Sequence, residues 1–191
     1  MSTASFDTAH AFTAKWEGGL SDHPSDPGGI TNYGVSLKWL RSLDKDSGDI
    51  DGNGDIDADD IRALTPAQAA SLFYDKFWLP YTLESLPLII AVAVYDFMVN
   101  AGPGQAIKEL QRACNMLDTK GVPLAIDGGL GPKTRAFVDS CDHDALFACY
   151  QERRTRFYTE LSQSRPDLAV FLKGWLNRTQ DLSRYVKGLP A

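Results

Sequence analysis

The sequence predicts a mainly α-helical fold with at most one small β-hairpin. Apolar side chains recur at spacings of three and four through most of the chain, as on helices with one buried face. Alternation at period two, the mark of a half-buried strand, is confined to residues 19 to 36. With 43% hydrophobic residues among 191, the chain can build one core, so a single compact unit is expected.

The elements follow in order. A first helix carries Phe6, Ala9, Phe12 and Trp16 on one stripe and ends at Glu17, where Gly18 and Gly19 release the backbone. Residues 16 to 34 then hold glycines, prolines, carboxylates and His23, with almost nothing that could fill a core, a composition suited to chemistry or binding. Val35 to Leu43 and Ala58 to Leu64 have short helical patterns. Thr65 to Gln68 reads as a capping box with Pro66 at the first helical position, followed by the stripe Ala69, Leu72, Phe73 and Phe77.

Leu88 to Asn100 is apolar nearly all round and reads as the central helix, stopped by Gly102-Pro103-Gly104. Asp96 and Asn100 lie one turn apart on it, and a carboxylate in so apolar a helix must face a partner or a wet cleft. Gln105 to Leu117 is a further amphipathic helix, and Asp127 to Thr134 opens a short one that reaches Cys141. Asp142 caps a long helix to about Gln163 with Leu146, Tyr150, Arg153, Phe157 and Leu161 inward. The last helix, Asp167 to Lys187, directs Leu168, Phe171, Trp175, Leu182 and either Tyr185 or Val186 inward.

Charge and composition exclude several functions. A formal net charge of −6 without any Lys/Arg run is wrong for a sequence-independent nucleic-acid surface. The most apolar run, Leu86 to Val99, contains Pro87 and Asp96 and falls short of the roughly 20 residues that span a bilayer, so no membrane insertion is expected. Cys114, Cys141 and Cys149 are odd in number and lie in helical patterns, which favours buried, reduced thiols. Met1 to Phe6 has neither a basic nor an apolar leader region, so synthesis in the cytoplasm without a cleavable signal is expected.

The acidic segment after Leu43 has two readings, a solvated loop or a calcium site, and spacing separates them. Counted from Asp49, residues Asp49, Asp51, Asn53, Gly54, Asp55, Ile56, Asp57 and Asp60 occupy positions 1, 3, 5, 6, 7, 8, 9 and 12 of a loop. An EF-hand puts its oxygen ligands, sharp-turn glycine and inward apolar residue at these positions. Asp49, Asp51, Asn53, the Asp55 carbonyl, Asp57 and Asp60 would hold one calcium ion. Asp60 replaces the usual, longer glutamate. A single hand with few methionines in the chain fits a structural staple better than a sensor.

The histidines lack ligand spacing, and neither a G-x-S-x-G elbow nor a P-loop is present, which leaves carboxylate chemistry. Glu17 at a helix end beside Trp16 is placed to be partly desolvated, whereas Asp22 and Asp26 lie on a polar turn. Two carboxyl groups in unequal environments suit glycoside hydrolysis, and they equally suit an ion pair and Asx-turns.

The order Glu17, Asp26, Thr31 resembles the Glu, Asp, Thr constellation of phage lysozymes, with the last spacing one residue shorter. The string Glu17-Gly18-Gly19, His23-Pro24, Asp26-Pro27-Gly28-Gly29, Thr31-Asn32-Tyr33-Gly34 is similar to the signature of glycoside hydrolase family 108, the N-acetylmuramidase-type endolysins. Tyr95-Asp96-Phe97, Asn100-Ala101-Gly102, Leu110 to Ala113, Asp127 to Thr134 and Gly174 to Arg178 resemble the peptidoglycan-binding half that accompanies it.

The resemblance implies a lysozyme-like helical fold that cleaves the β-1,4 bond after N-acetylmuramic acid in bacterial peptidoglycan. It carries over Glu17 as general acid, Asp26 as second carboxylate and Thr31 as the residue that positions water. Asp22, Tyr33, Asp96 and Asn100 would line the glycan groove. Residues 1–102 would form the catalytic segment, with an EF-hand-like insertion over 44–63, and residues 103–191 a helical wall-binding half packed on it. Leu20 stands where the family usually has an aromatic. Two further readings are a lytic transglycosylase on the same substrate and a non-catalytic, calcium-stapled wall-binding module. The enzyme is expected as a monomer that reaches the periplasm through a membrane lesion or a specialised export route.

Overall fold

A computed structural model describes residues 3–22, 29–118 and 121–189 of the chain. Helix α1 (Ala4–Glu17) is capped by Thr3 and buries Phe6, Ala9 and Phe12, as the stripe predicts. The only described sheet is a hairpin of β1 (Thr31–Asn32) and β2 (Val35–Ser36), antiparallel with Thr31 opposite Ser36, and Ser21 bridges to Thr31 on its outer side. Its turn residues Tyr33 and Gly34 have φ of 49° and 81°, the two left-handed positions of a type I′ turn, whose twist matches that of the strands.

The short helices α2 (Leu37–Leu40), α3 (Lys45–Gly48) and α4 (Ala58–Ala63) flank the acidic loop. The helix expected over Val35 to Leu43 is therefore a single turn. The segment from Asp44, read from sequence as acidic loop alone, opens with another turn because the Asp44 carboxylate accepts the Ser47 N–H. Helix α5 (Pro66–Phe73) starts on the predicted capping box and runs into a π-helical turn, Tyr74–Trp78.

Helix α6 (Leu88–Ala101) is the axis of the fold, buried without interruption from Ile90 to Met98. Around it pack α1, α7 (Pro103–Leu117), α9 (His143–Ser164) and α10 (Leu172–Lys187), with α8 (Pro132–Ser140) against α7. The apolar core continues from the first half of the chain into the second. Cys114 is buried, which pushes its thiol up to about 12, while Cys141 and Cys149 are half-buried, and none is in a disulfide. Among the described residues no helix is long and apolar enough to cross a membrane.

Two inward faces differ from the sequence expectation. Helix α9 buries Leu146, Tyr150, Arg154 and Tyr158, and Arg153 and Phe157 fall to its flank. Residues Pro166–Phe171 form a 3₁₀ turn ahead of α10, which leaves Phe171 54% exposed instead of inward.

Candidate active site

Glu17 is the last residue of α1, and Gly18 follows it at φ 71°, a conformation that glycine adopts without strain. The hairpin turn lies directly on its side chain. A Cβ at Gly34 would stand 2.8 Å from Glu17 Cγ and 3.1 Å from Oε2, so only glycine fits there. On its other side Glu17 Oε1 is 2.7 Å from Arg178 Nη2, an ion pair in which the N–H is not aligned on the oxygen. The side chain is 19% exposed. Burial raises the Glu17 carboxyl above the ordinary carboxylate range, against the opposing pull of Arg178. A carboxyl that holds its proton more tightly than usual is suited to donate it.

Behind Glu17 lies a second carboxylate, Asp96 on α6, with no exposed side-chain surface. It accepts hydrogen bonds from Arg178 Nε at 3.0 Å and Nη2 at 2.6 Å, and from Thr13 Oγ1 at 3.0 Å. Arg154 Nη2 lies 2.6 Å from its other oxygen. The Arg154 guanidinium is itself buried between the rings of Phe97 and Tyr158, 5.0 and 5.6 Å from their centroids. Burial pushes the Asp96 carboxyl up, but Arg154 and Arg178 outweigh it and hold the group below its ordinary value. Two guanidinium groups thus lie against the Asp96 carboxylate, and one of them also against the Glu17 carboxyl.

The sequence-predicted site residues separate into those at the surface and those that are not. Asp96 was expected to line the glycan groove; it is fully buried and saturated by two arginines and a threonine, so its role is to anchor them. Asn100 is half-buried, and its Oδ1 accepts the Tyr158 hydroxyl at 2.6 Å, which joins it to the Arg154 end of the cluster. Tyr33 is half-buried at the hairpin turn. Thr31 is half-buried beside it and donates its hydroxyl to the Gly29 carbonyl at 3.3 Å. Asp22 is exposed and meets Arg62 Nη2 at 3.3 Å. Asp26 lies outside the described residues, as does His23.

Sequence reasoning missed Arg154, Arg178, Thr13 and the close approach of Gly34. A signal for the arginines existed. Arg154 is four residues from both Tyr150 and Tyr158, and Arg178 is four before Leu182, so each sits on an apolar stripe. A buried guanidinium demands a carboxylate, and Asp96 is the one acidic residue of the central helix.

The acidic loop can hold a cation. Carboxylate oxygens of Asp49, Asp51 and Asp60 lie within 4.8 Å of one another, and so do those of Asp55, Asp57 and Asp60. Asp60 is buried and accepts the backbone N–H groups of Ile50 at 2.6 Å, Asp51 at 3.2 Å and Asp57 at 2.7 Å. Asp49 Oδ2 accepts the Gly54 N–H at 3.0 Å, whereas its buried Oδ1 has no hydrogen-bond partner. Hard oxygens around an unsatisfied buried one fit a calcium ion.

The loop is tied to the hairpin beside Glu17. The buried Asn32 donates to the Ile61 carbonyl at 3.1 Å, and Arg62 spans Asp22 and Asp59.

Residues 10–102 match the model of the glycosyl hydrolase 108 family, and residues 105–180 match a family described as a predicted peptidoglycan domain. Among solved structures the chain is similar to SagA of Brucella abortus, at 27% identity and a TM-score of 0.76, over 97% of this chain and 96% of that one. No curated protein matches it. The half-buried Glu17 lies within the first matched region and Arg178 within the second. Residues 10–102 are therefore similar to the glycosyl hydrolase 108 family, and the chain is a glycoside hydrolase that acts on peptidoglycan, with this region followed by one similar to a peptidoglycan domain.

Proposed function

We propose that the protein is a lysozyme-type N-acetylmuramidase that hydrolyses the β-1,4 bond between N-acetylmuramic acid and N-acetylglucosamine, with Glu17 as general acid. One observation carries this reading: Glu17 is held between Gly34 and Arg178 in a site buried enough to raise its carboxyl. The protonated acid gives its proton to the departing glycosidic oxygen, and the resulting carboxylate is stabilised by Arg178. Asp26 serves as the second carboxylate and takes a proton from a water positioned by Thr31, and that water adds to the sugar's anomeric carbon. The pairing of Asp22 with Arg62 supports Asp26 over Asp22 for this role. Tyr33 and Asn100, both half-buried, contact the glycan.

The test is hydrolysis of purified cell walls by Glu17→Gln. About a 10²- to 10⁴-fold loss of rate with wall binding retained is expected. A variant as fast as the parent would discard the assignment. Product mass separates hydrolysis, which adds one water to each cut, from a transglycosylase, which leaves an anhydro sugar.

We further infer that the loop from Asp49 to Asp60 binds one structural calcium ion through Asp49, Asp51, Asn53, the Asp55 carbonyl, Asp57 and Asp60. The clustered carboxylate oxygens and the unpartnered Asp49 Oδ1 support this. The ion would fix α4 and, through Asn32 and Arg62, the hairpin over Glu17. The enzyme works as a monomer at the cell wall, and reaches it through a membrane lesion or a specialised export route.

A further inference from the structure

The acid at the end of α1 is not completed by its own half of the chain. Arg178 on α10 and Arg154 on α9 both come from the region that matches the peptidoglycan domain. Arg178 is only 6% exposed, and its Nη2 lies 2.6 Å from Asp96 Oδ1 and 2.7 Å from Glu17 Oε1. A single nitrogen therefore sits between carboxylates from two other helices. Its Nε is also committed to Asp96, so the plane of the guanidinium is fixed by α6 before it meets Glu17.

We propose that Arg178 is the positioning residue of the catalytic acid, and that the peptidoglycan-domain half thereby builds part of the catalytic centre. This rests on Glu17 being the general acid. The charged groups that bear on Glu17 are Arg178 on α10, Arg154 on α9 and Asp96 on α6. The Tyr95 hydroxyl is also close enough to feel the Glu17 charge.

Their arrangement explains how an arginine can touch an acid without stripping its proton. Asp96 offsets the charge of Arg178, so burial still governs Glu17 in its resting state. Once Glu17 has released its proton, the same guanidinium is already at ion-pair distance from the carboxylate. A lysine could supply the charge. It could not supply a rigid fork that bonds Asp96 with two nitrogens while presenting one of them to Glu17.

The experiment measures kcat and KM on soluble peptidoglycan glycan fragments across pH for the parent, Arg178→Lys, Arg178→Gln and Glu17→Gln, with the Tm of each. Arg178→Lys is expected to fold, keep its KM within about twofold and lose about 10- to 100-fold in kcat, the cost of a misplaced acid. Arg178→Gln should lose kcat similarly and carry the basic limb of its pH profile upward by about one unit, because the cation that favours ionised Glu17 is gone. A folded Arg178→Lys with parental kcat overturns the proposal, and so does a folded Arg178→Gln with an unmoved profile. If Arg178→Gln does not fold, Arg178→Lys decides alone. Full activity in Glu17→Gln would overturn the acid assignment and this proposal together. Loss in Glu17→Gln with parental behaviour in both Arg178 variants would overturn this proposal only.

Discussion

Two carboxylate clusters in the N-terminal half carry opposite solutions to the same electrostatic problem. Around Asp96 and Glu17 the compensation comes from afar, with Arg178 reaching Asp96 across 82 residues of chain. In the loop from Asp49 to Asp60 it is local, supplied by backbone N–H groups within ten residues. Among the described residues no ion pair reaches Asp49, Asp51, Asp55, Asp57 or Asp60. The first cluster is compensated by arginines of the fold, and the second, on the proposed function, by a bound cation. The first should therefore fail with mutation and acid, and the second with chelation.

The largest test of that contrast is Asp96→Ala, which strands Arg154 and Arg178 in the interior and should cost about 3–5 kcal/mol in denaturant unfolding. The wild-type contribution has a defined pH window. Asp96 is held below its ordinary value in the folded protein, so its stabilisation is present above the unfolded carboxylate range and fades as pH falls through the folded value. Equal stability of Asp96→Ala and the parent at neutral pH would remove the long-range half of the comparison.

Calcium should come next. At a free concentration about 100 times Kd the ion contributes about 2.7 kcal/mol, read as a rise in Tm that chelator reverses. Asp49→Ala should abolish the calcium-dependent part. A Tm indifferent to both calcium and chelator would leave the acidic loop as a solvated turn.

Gly34→Ala should cost about 1–2 kcal/mol for its left-handed φ, and its hydrolysis rate should drop further because the methyl displaces Glu17. Unchanged kcat in a folded Gly34→Ala protein would argue against a fixed acid. The smallest effect is on stability in Glu17→Gln. The folded Glu17 carboxyl is raised, so its favourable contribution holds at acid pH and is lost as pH rises through the folded value. The variant should accordingly match or exceed the parent in Tm at neutral pH and show no advantage below the carboxylate range.

Legibility in the sequence follows the same division between local and distant. The Thr65 to Gln68 capping box and the Asp142 cap are relations over three residues, and both are readable as patterns. The hairpin was located only within residues 19 to 36, because its turn needed the left-handed Tyr33 as well as Gly34. Glu17 stood out by its place at a helix end and by family resemblance. Its buried surroundings depend on Gly34 and Arg178, and only Gly34 lies nearby in sequence. The inward face of α9 was read one residue out of phase, with Arg153 in place of Arg154. That helix packs on α6, α7 and α10 together, and its buried arc follows from all three neighbours. The groove-lining role expected of Asp96 failed for a related reason, since a carboxylate's partners cannot be seen until two helices from the other end of the chain close over it.

The shared arginine also sets where such a protein can be cut and rejoined. Exchanging wall-recognition segments between homologues is usually planned at the junction between matched regions, here the two residues between positions 102 and 105. A graft at that point would discard the native α9 and α10 and with them both counter-charges of Asp96. Recombination that spares catalysis would instead replace surface positions on the helices and carry Arg154 and Arg178 across with the catalytic part.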